Sequence, residues 1–163
     1  MAGWPGGDDA GEAVGLGYAR YKNKSAYCAV AMRVRLEEEI QLVEAWAAVD
    51  AGEVVNPDGL RNQIEGSILQ AASWTLKEAV TVEGDRVAVG GWENYPVLRF
   101  SEIPRVTVDL IDQPDQPSLG AGEAAIGPAA AAIGNAASRA LGLRLVNRPL
   151  TRDAIRRAIE DGG

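Results

Sequence analysis

The chain has 163 residues, 47% of them hydrophobic, and a formal net charge of −7. This fits one globular domain with a sizeable core and excludes the basic surface that nucleic acid needs. It contains no histidine and a single cysteine, Cys28, so a disulfide framework, a His/Cys zinc site and Ser-His-Asp or Cys-His catalysis within the chain are all excluded.

In chain order, residues 1–13 read as a Gly/Asp/Ala-rich flexible lead-in without the basic and apolar segments of a signal peptide, and residues 14–163 read as the folded domain. Residues 14–35 read as strands broken by a turn at Lys22-Asn23-Lys24-Ser25, with Cys28 as a buried small hydrophobe. Gly15-x-Gly17 lacks the third glycine and the following helix of a nucleotide loop. After the acidic turn Glu37-Glu38-Glu39, residues 40–49 form a further strand in an antiparallel hairpin.

Turn signals at Asp50-Ala51-Gly52-Glu53 and Asn56-Pro57-Asp58-Gly59 lead into a helix over residues 60–79. Its apolar stripe is Leu60, Ile64, Ile68, Ala71/Ala72, Leu76 and Ala79, with Gln63, Gly66, Ser67 and Gln70 opposite. No charge falls between Gly66 and Thr75, which predicts burial on both sides and a second contact, a ligand or more protein, on the polar one. Residues 80–89 read as a hairpin, followed by a loop with Trp92, Tyr95 and Pro96, in which Trp92 and Tyr95 read as packing under the loop, with the lining of a substrate funnel as the alternative. Strand candidates come next at 97–100 and 105–111, and residues 112–118 are irregular. A second long helix spans 128–141, with Pro128 at its first position and Gly142 just past its end. Thr151 caps a short helix over 152–160. This order predicts an α+β two-layer sandwich, a mixed or antiparallel sheet with two long helices. No apolar run is long enough to span a membrane.

Gly120-Ala121-Gly122-Glu123-Ala124-Ala125 presents one carboxylate ahead of the alanine-rich helix, and no further charge follows until Arg139. An isolated carboxylate beside bare backbone has the form of a general base next to a bound cofactor, and equally that of an ordinary acidic loop.

Several segments together resemble one family. They are Gly17-Tyr18-Ala19-Arg20-Tyr21-Lys22-Asn23 with Ala26-Tyr27-Cys28-Ala29-Val30, Val49-Asp50-Ala51-Gly52 with Asn56-Pro57, Asn62-Gln63-Ile64-Glu65-Gly66 with Gln70, Tyr95-Pro96-Val97-Leu98-Arg99-Phe100, and Gly120-Ala121-Gly122-Glu123-Ala124. This order resembles the C-terminal part of the molybdopterin-binding large subunit of the xanthine dehydrogenase/aldehyde oxidase family, of the isoquinoline 1-oxidoreductase and nicotinate dehydrogenase type.

The resemblance implies a component of a molybdenum hydroxylase that oxidises an aldehyde or N-heterocycle with water-derived oxygen. Glu123 is then the general base. Gln63 is a hydrogen-bonding residue toward the molybdopterin, and Ala121 and Gly122 line the same site. No side chain of the chain is implied as a metal ligand. The molybdenum cofactor is shared with a missing portion, so the implied partners are the N-terminal part of the large subunit, as the same or a separate chain, and an iron–sulfur subunit. The alternative is a non-catalytic remnant that homo-oligomerises through its uncharged helical faces. The default compartment is the cytoplasm, with export as part of a complex left open.

Overall fold

Alternation of apolar and polar residues in the first third of the chain produces three consecutive strands, β1 (Glu12–Arg20), β2 (Tyr27–Leu36) and β3 (Ile40–Asp50), paired antiparallel. The computed structural model describes residues 11–160. Residues 1–10 of the expected lead-in lie outside the described residues, and β1 already starts at Glu12. The inward residues of β3 change phase from Ile40 and Leu42 to Ala45, Ala47 and Val49. An irregularity in the pairing of Arg33/Val34 with Glu44 and Leu42 absorbs the extra residue, so the apolar set stays on the core face.

β3 is followed by α1 (Pro57–Leu76) and a small hairpin of β4 (Val82–Glu83) and β5 (Arg86–Val87). The chain then returns through β6 (Arg105–Ile111), which pairs parallel to β3. The main sheet has the order β1-β2-β3-β6 and is mixed, as expected. Its helical layer is α1 and α2 (Ile126–Leu141), with α2 over β1 and β2 and α1 beside α2 and β6; α3 (Arg152–Glu160) closes the chain. The core between the layers joins Val30, Met32, Val34 and Val49 of the sheet to Ile64, Ile68 and Ile133 of the helices, all fully buried. The opposite face of the sheet is open at Leu16 and Tyr18. No helix among the described residues is long and apolar enough to cross a membrane.

The helix boundaries differ from expectation for identifiable reasons. Asn56 is more than a turn residue: its side chain accepts from the Gly59 N–H at 2.9 Å and starts α1 at Pro57, a cap worth about 1 kcal/mol. The helix ends at Leu76, short of Ala79. Helix α2 begins at Ile126, so Pro128 is its third residue, while Gly142 adopts the left-handed conformation that ends it. Residues 97–100 make no strand, because the Leu98 N–H donates to Ser73 Oγ of α1 at 2.9 Å instead of to a ladder. The middle of α1 is buried on one side only. Gln63, Gly66, Gln70 and Trp74 face outward, and Ser67 belongs to the buried side.

Gly15 and Gly17 serve packing. A Cβ added at Gly15 would stand 2.1 Å from the Ala132 carbonyl oxygen, and one at Gly17 would stand 2.0 Å from that of Pro128. The bare backbone of β1 and the alanine-rich face of α2 therefore touch directly. Cys28 is buried as expected, and burial pushes its thiol up to about 11. It is expected to resist a water-soluble disulfide reagent at neutral pH in the folded chain and to react as one thiol after denaturation, which an absorbance titration checks.

Candidate functional site

The loop at residues 120–125 is fixed from three sides before it enters α2. The Gly120 carbonyl accepts from Ala26 N–H at 3.3 Å, at the entry to β2. Leu119 N–H donates to the Ala51 carbonyl at 2.8 Å, just past β3. Ser67 Oγ of α1 donates to the Gly122 carbonyl at 2.9 Å. Two turn bonds, Ala124 N–H to Ala121 O at 3.1 Å and Ile126 N–H to Glu123 O at 3.3 Å, tighten it further. Ala121, Ala124 and Ala125 are buried while Gly122 and Glu123 are exposed, so the small residues anchor the loop and lift the carboxylate to the surface.

There the Glu123 carboxylate accepts at Oε2 a hydrogen bond from the Tyr21 hydroxyl, 102 positions away in the chain. Tyr21 follows β1 directly and opens a short 3-10 turn in which Lys22 and Asn23 have φ of 49° and 58°. The Lys22 ammonium lies 5.0 Å from the centre of the Tyr21 ring. The Tyr21 hydroxyl keeps that ammonium above its ordinary pKa, with a smaller contribution from the Glu123 charge.

Glu123 sits in a shallow concavity of about 270 Å³ lined by Tyr21, Trp74, Ile126 and Pro128 together with Ala19 and Gly127. Larger concavities lie elsewhere, about 590 Å³ beside α3 and about 510 Å³ on the open sheet face, but neither brings together a carboxylate and a hydroxyl donor held on it. Among the described residues no group of three His, Cys, Asp or Glu side chains could hold a metal ion.

Of the residues singled out from the sequence, Gln63, Gly122 and Glu123 come together. Gln63 Oε1 lies 3.7 Å from where a Gly122 Cβ would stand, so the amide approaches the bare loop at the residue before Glu123, although neither Gln63 nor Gly122 lines the concavity itself. Ala121 is adjacent in sequence, but its methyl group is buried in the core cluster beneath the loop. Trp92 and Tyr95 do not line this concavity, and Trp92, 83% exposed, does not pack under its loop as expected; Tyr95 donates to Glu78 Oε2 at 2.9 Å. Sequence reasoning missed Tyr21, Ser67 and Trp74 as neighbours of the loop. Trp74 was accessible from helical periodicity, since it follows Gln63 and Gln70 on the outward face of α1. The Tyr21–Glu123 pairing had no local signal, because it depends on how β1 meets α2.

Residues 8–104 match the family of the molybdopterin cofactor-binding domain, a span that includes Tyr21 and Gln63 and ends before Glu123. A nicotinate dehydrogenase polypeptide of Pseudomonas putida is 36% identical over 91% of the chain and 13% of that protein. The beta polypeptide of isoquinoline 1-oxidoreductase from Brevundimonas diminuta is 35% identical over 86% of the chain and 18% of that protein. Among solved structures, quinoline 2-oxidoreductase from Pseudomonas putida 86 superposes with a TM-score of 0.78 and 25% identity, over 83% of the chain and 19% of its own. The chain thus spans less than a fifth of the length of each of these relatives.

Proposed function

The chain belongs to the molybdopterin cofactor-binding domain family, and from this we propose that it is the part of a molybdenum hydroxylase that carries the general base, Glu123, and one wall of the cofactor site. The observation that carries this reading is that Gln63 of α1, sixty positions before Glu123 in the chain, reaches the bare backbone of Gly122, the residue next to Glu123. The residues present fit a large polar cofactor. Added Cβ atoms at Gly66, Gly120 and Gly127 would meet nothing, leaving open backbone, and the exposed amides of Gln63 and Gln70 offer both donors and acceptors. A metal at this position has to arrive with its own ligands, which a pterin dithiolene provides.

Molybdopterin, when bound, supplies the two-electron redox chemistry. The roles left to this chain are positional and acid–base. The reaction class adds a water-derived oxygen to an electrophilic carbon of an aldehyde or N-heterocycle. Its hydroxyl proton needs an acceptor, and Glu123 takes it at Oε1, the oxygen that Tyr21 leaves free. Gln63 holds the pterin side by hydrogen bonding. Ala121 acts from beneath, fixing the loop, and Gly122 offers its exposed backbone. The remainder of the active site lies on the N-terminal portion of a large subunit, and electrons leave through an iron–sulfur subunit, since one cysteine cannot hold a cluster. The test is the turnover of the enzyme assembled with that portion when Glu123 is replaced by Gln. Loss of turnover with cofactor retained is expected, and unchanged turnover overturns the assignment.

A further inference from the structure

We propose that Tyr21 is a positioning residue for Glu123, holding the carboxylate in one rotamer with Oε1 presented to the concavity. The inference rests on the reading of Glu123 as the base and adds to it a residue outside the Gly120–Ala125 loop. Three independent observations carry it.

The first is the hydrogen bond itself. Tyr21 donates to Oε2, and no other protein group among the described residues binds the Glu123 carboxylate. A glutamate on an exposed loop samples several rotamers unless a partner holds it, and here the phenol is that partner. Binding one oxygen and leaving the other bare is what a proton acceptor requires. A group that capped both oxygens would stabilise the carboxylate and block it.

The second is the backbone that delivers the phenol. Lys22 and Asn23 are consecutive residues at positive φ without being glycine, a conformation that costs energy and persists where the surroundings enforce it. The turn is closed by Tyr21 N–H to Ala26 O at 2.8 Å and Ser25 N–H to Tyr21 O at 2.9 Å, and Ala26 N–H is in turn bound to Gly120 of the Glu123 loop. The unfavourable turn and the loop are thus tied to each other by backbone at one point and by Tyr21–Glu123 at another.

The third is the cation. Lys22 stands over the Tyr21 ring, its ammonium 5.0 Å from the ring centre, and so packs on the phenol that binds Glu123. Phenol, carboxylate and ammonium form one small cluster at the rim of the concavity.

The experiment has two readouts. In the 163-residue chain, side-chain three-bond couplings by NMR report the Glu123 rotamer. One dominant rotamer is expected in the wild type and averaging in Tyr21→Phe, while averaging already in the wild type overturns the proposal without any variant. In the assembled enzyme, Tyr21→Phe is expected to lower kcat by about ten- to a hundredfold, the value of a hydrogen bond to a charged group, with KM and molybdenum content unchanged. A loss confined to KM, or wild-type kcat in Tyr21→Phe while Glu123→Gln is inactive, overturns the role of Tyr21 and leaves Glu123 as the base. Wild-type activity in Glu123→Gln overturns the underlying reading instead, so the two failures are distinguishable.

Discussion

Glu123→Gln is expected to lower kcat of the assembled enzyme by about 10²–10⁴-fold, the range a positioned general base contributes. The substitution is chosen because it removes one property. Gln matches Glu in size, and its amide oxygen still accepts from the Tyr21 hydroxyl, so the anchored loop and the concavity keep their shape. What the amide cannot do is take a proton at neutral pH. Steady-state turnover, molybdenum content and thermal midpoint measured on one preparation separate the outcomes. A base predicts a collapse of kcat with metal and midpoint intact. A carboxylate that merely supports the fold predicts the opposite pattern, a lowered midpoint with kcat intact; the midpoint is expected to hold because Glu123 is exposed and its neighbours Ala121, Ala124 and Ala125 carry the burial.

Much of the architecture was legible in the chain because it follows from local rules. Period-two alternation gave the first three strands, the apolar stripe from Ile64 to Leu76 gave α1, and Gly142 marked the end of α2. The misses share a cause: a side chain or backbone group recruited by a distant partner. Residues 97–100 have strand-like composition, yet Ser73 takes the Leu98 amide. Ser67 looks like part of a polar face but turns inward to hold Gly122.

The site divides in the same way. Glu123 stood out because it is isolated among small residues, and Gln63 through its place on the polar side of the helix and the resemblance of its motif. Their meeting at Gly122 follows from how α1 and the loop before α2 sit beside each other, and no spacing within either segment encodes it. Tyr21 was further out of reach, since it belongs to the strand layer and Glu123 to the helical one.

That relation between layers leads to the second large effect, in which Gly15→Ala is expected to destabilise the chain by about 1–3 kcal/mol through overpacking. The added methyl group would sit 2.1 Å from the Ala132 carbonyl oxygen and 2.3 Å from the Ala136 nitrogen. Both are helix backbone, so no rotamer change relieves the contact and α2 has to lift from β1. Gly66→Ala is the control: its Cβ would meet nothing, it lies in an exposed helix interior, and it is expected to stabilise by about 0.5–1 kcal/mol. Denaturant midpoints of the two variants should move in opposite directions, and equal shifts would refute the close-contact account. The consequence reaches the site. β1 runs on into Tyr21, and α2 is entered from the turn that carries Glu123, so the spacing set at Gly15 and Gly17 also sets the approach of the phenol to the carboxylate. A Gly15→Ala chain that still folds should therefore show the averaged Glu123 rotamer expected of Tyr21→Phe, although residue 15 touches neither group. The Gly15-x-Gly17 pair carries no nucleotide loop. It holds strand layer and helix layer at the distance from which Tyr21 reaches Glu123.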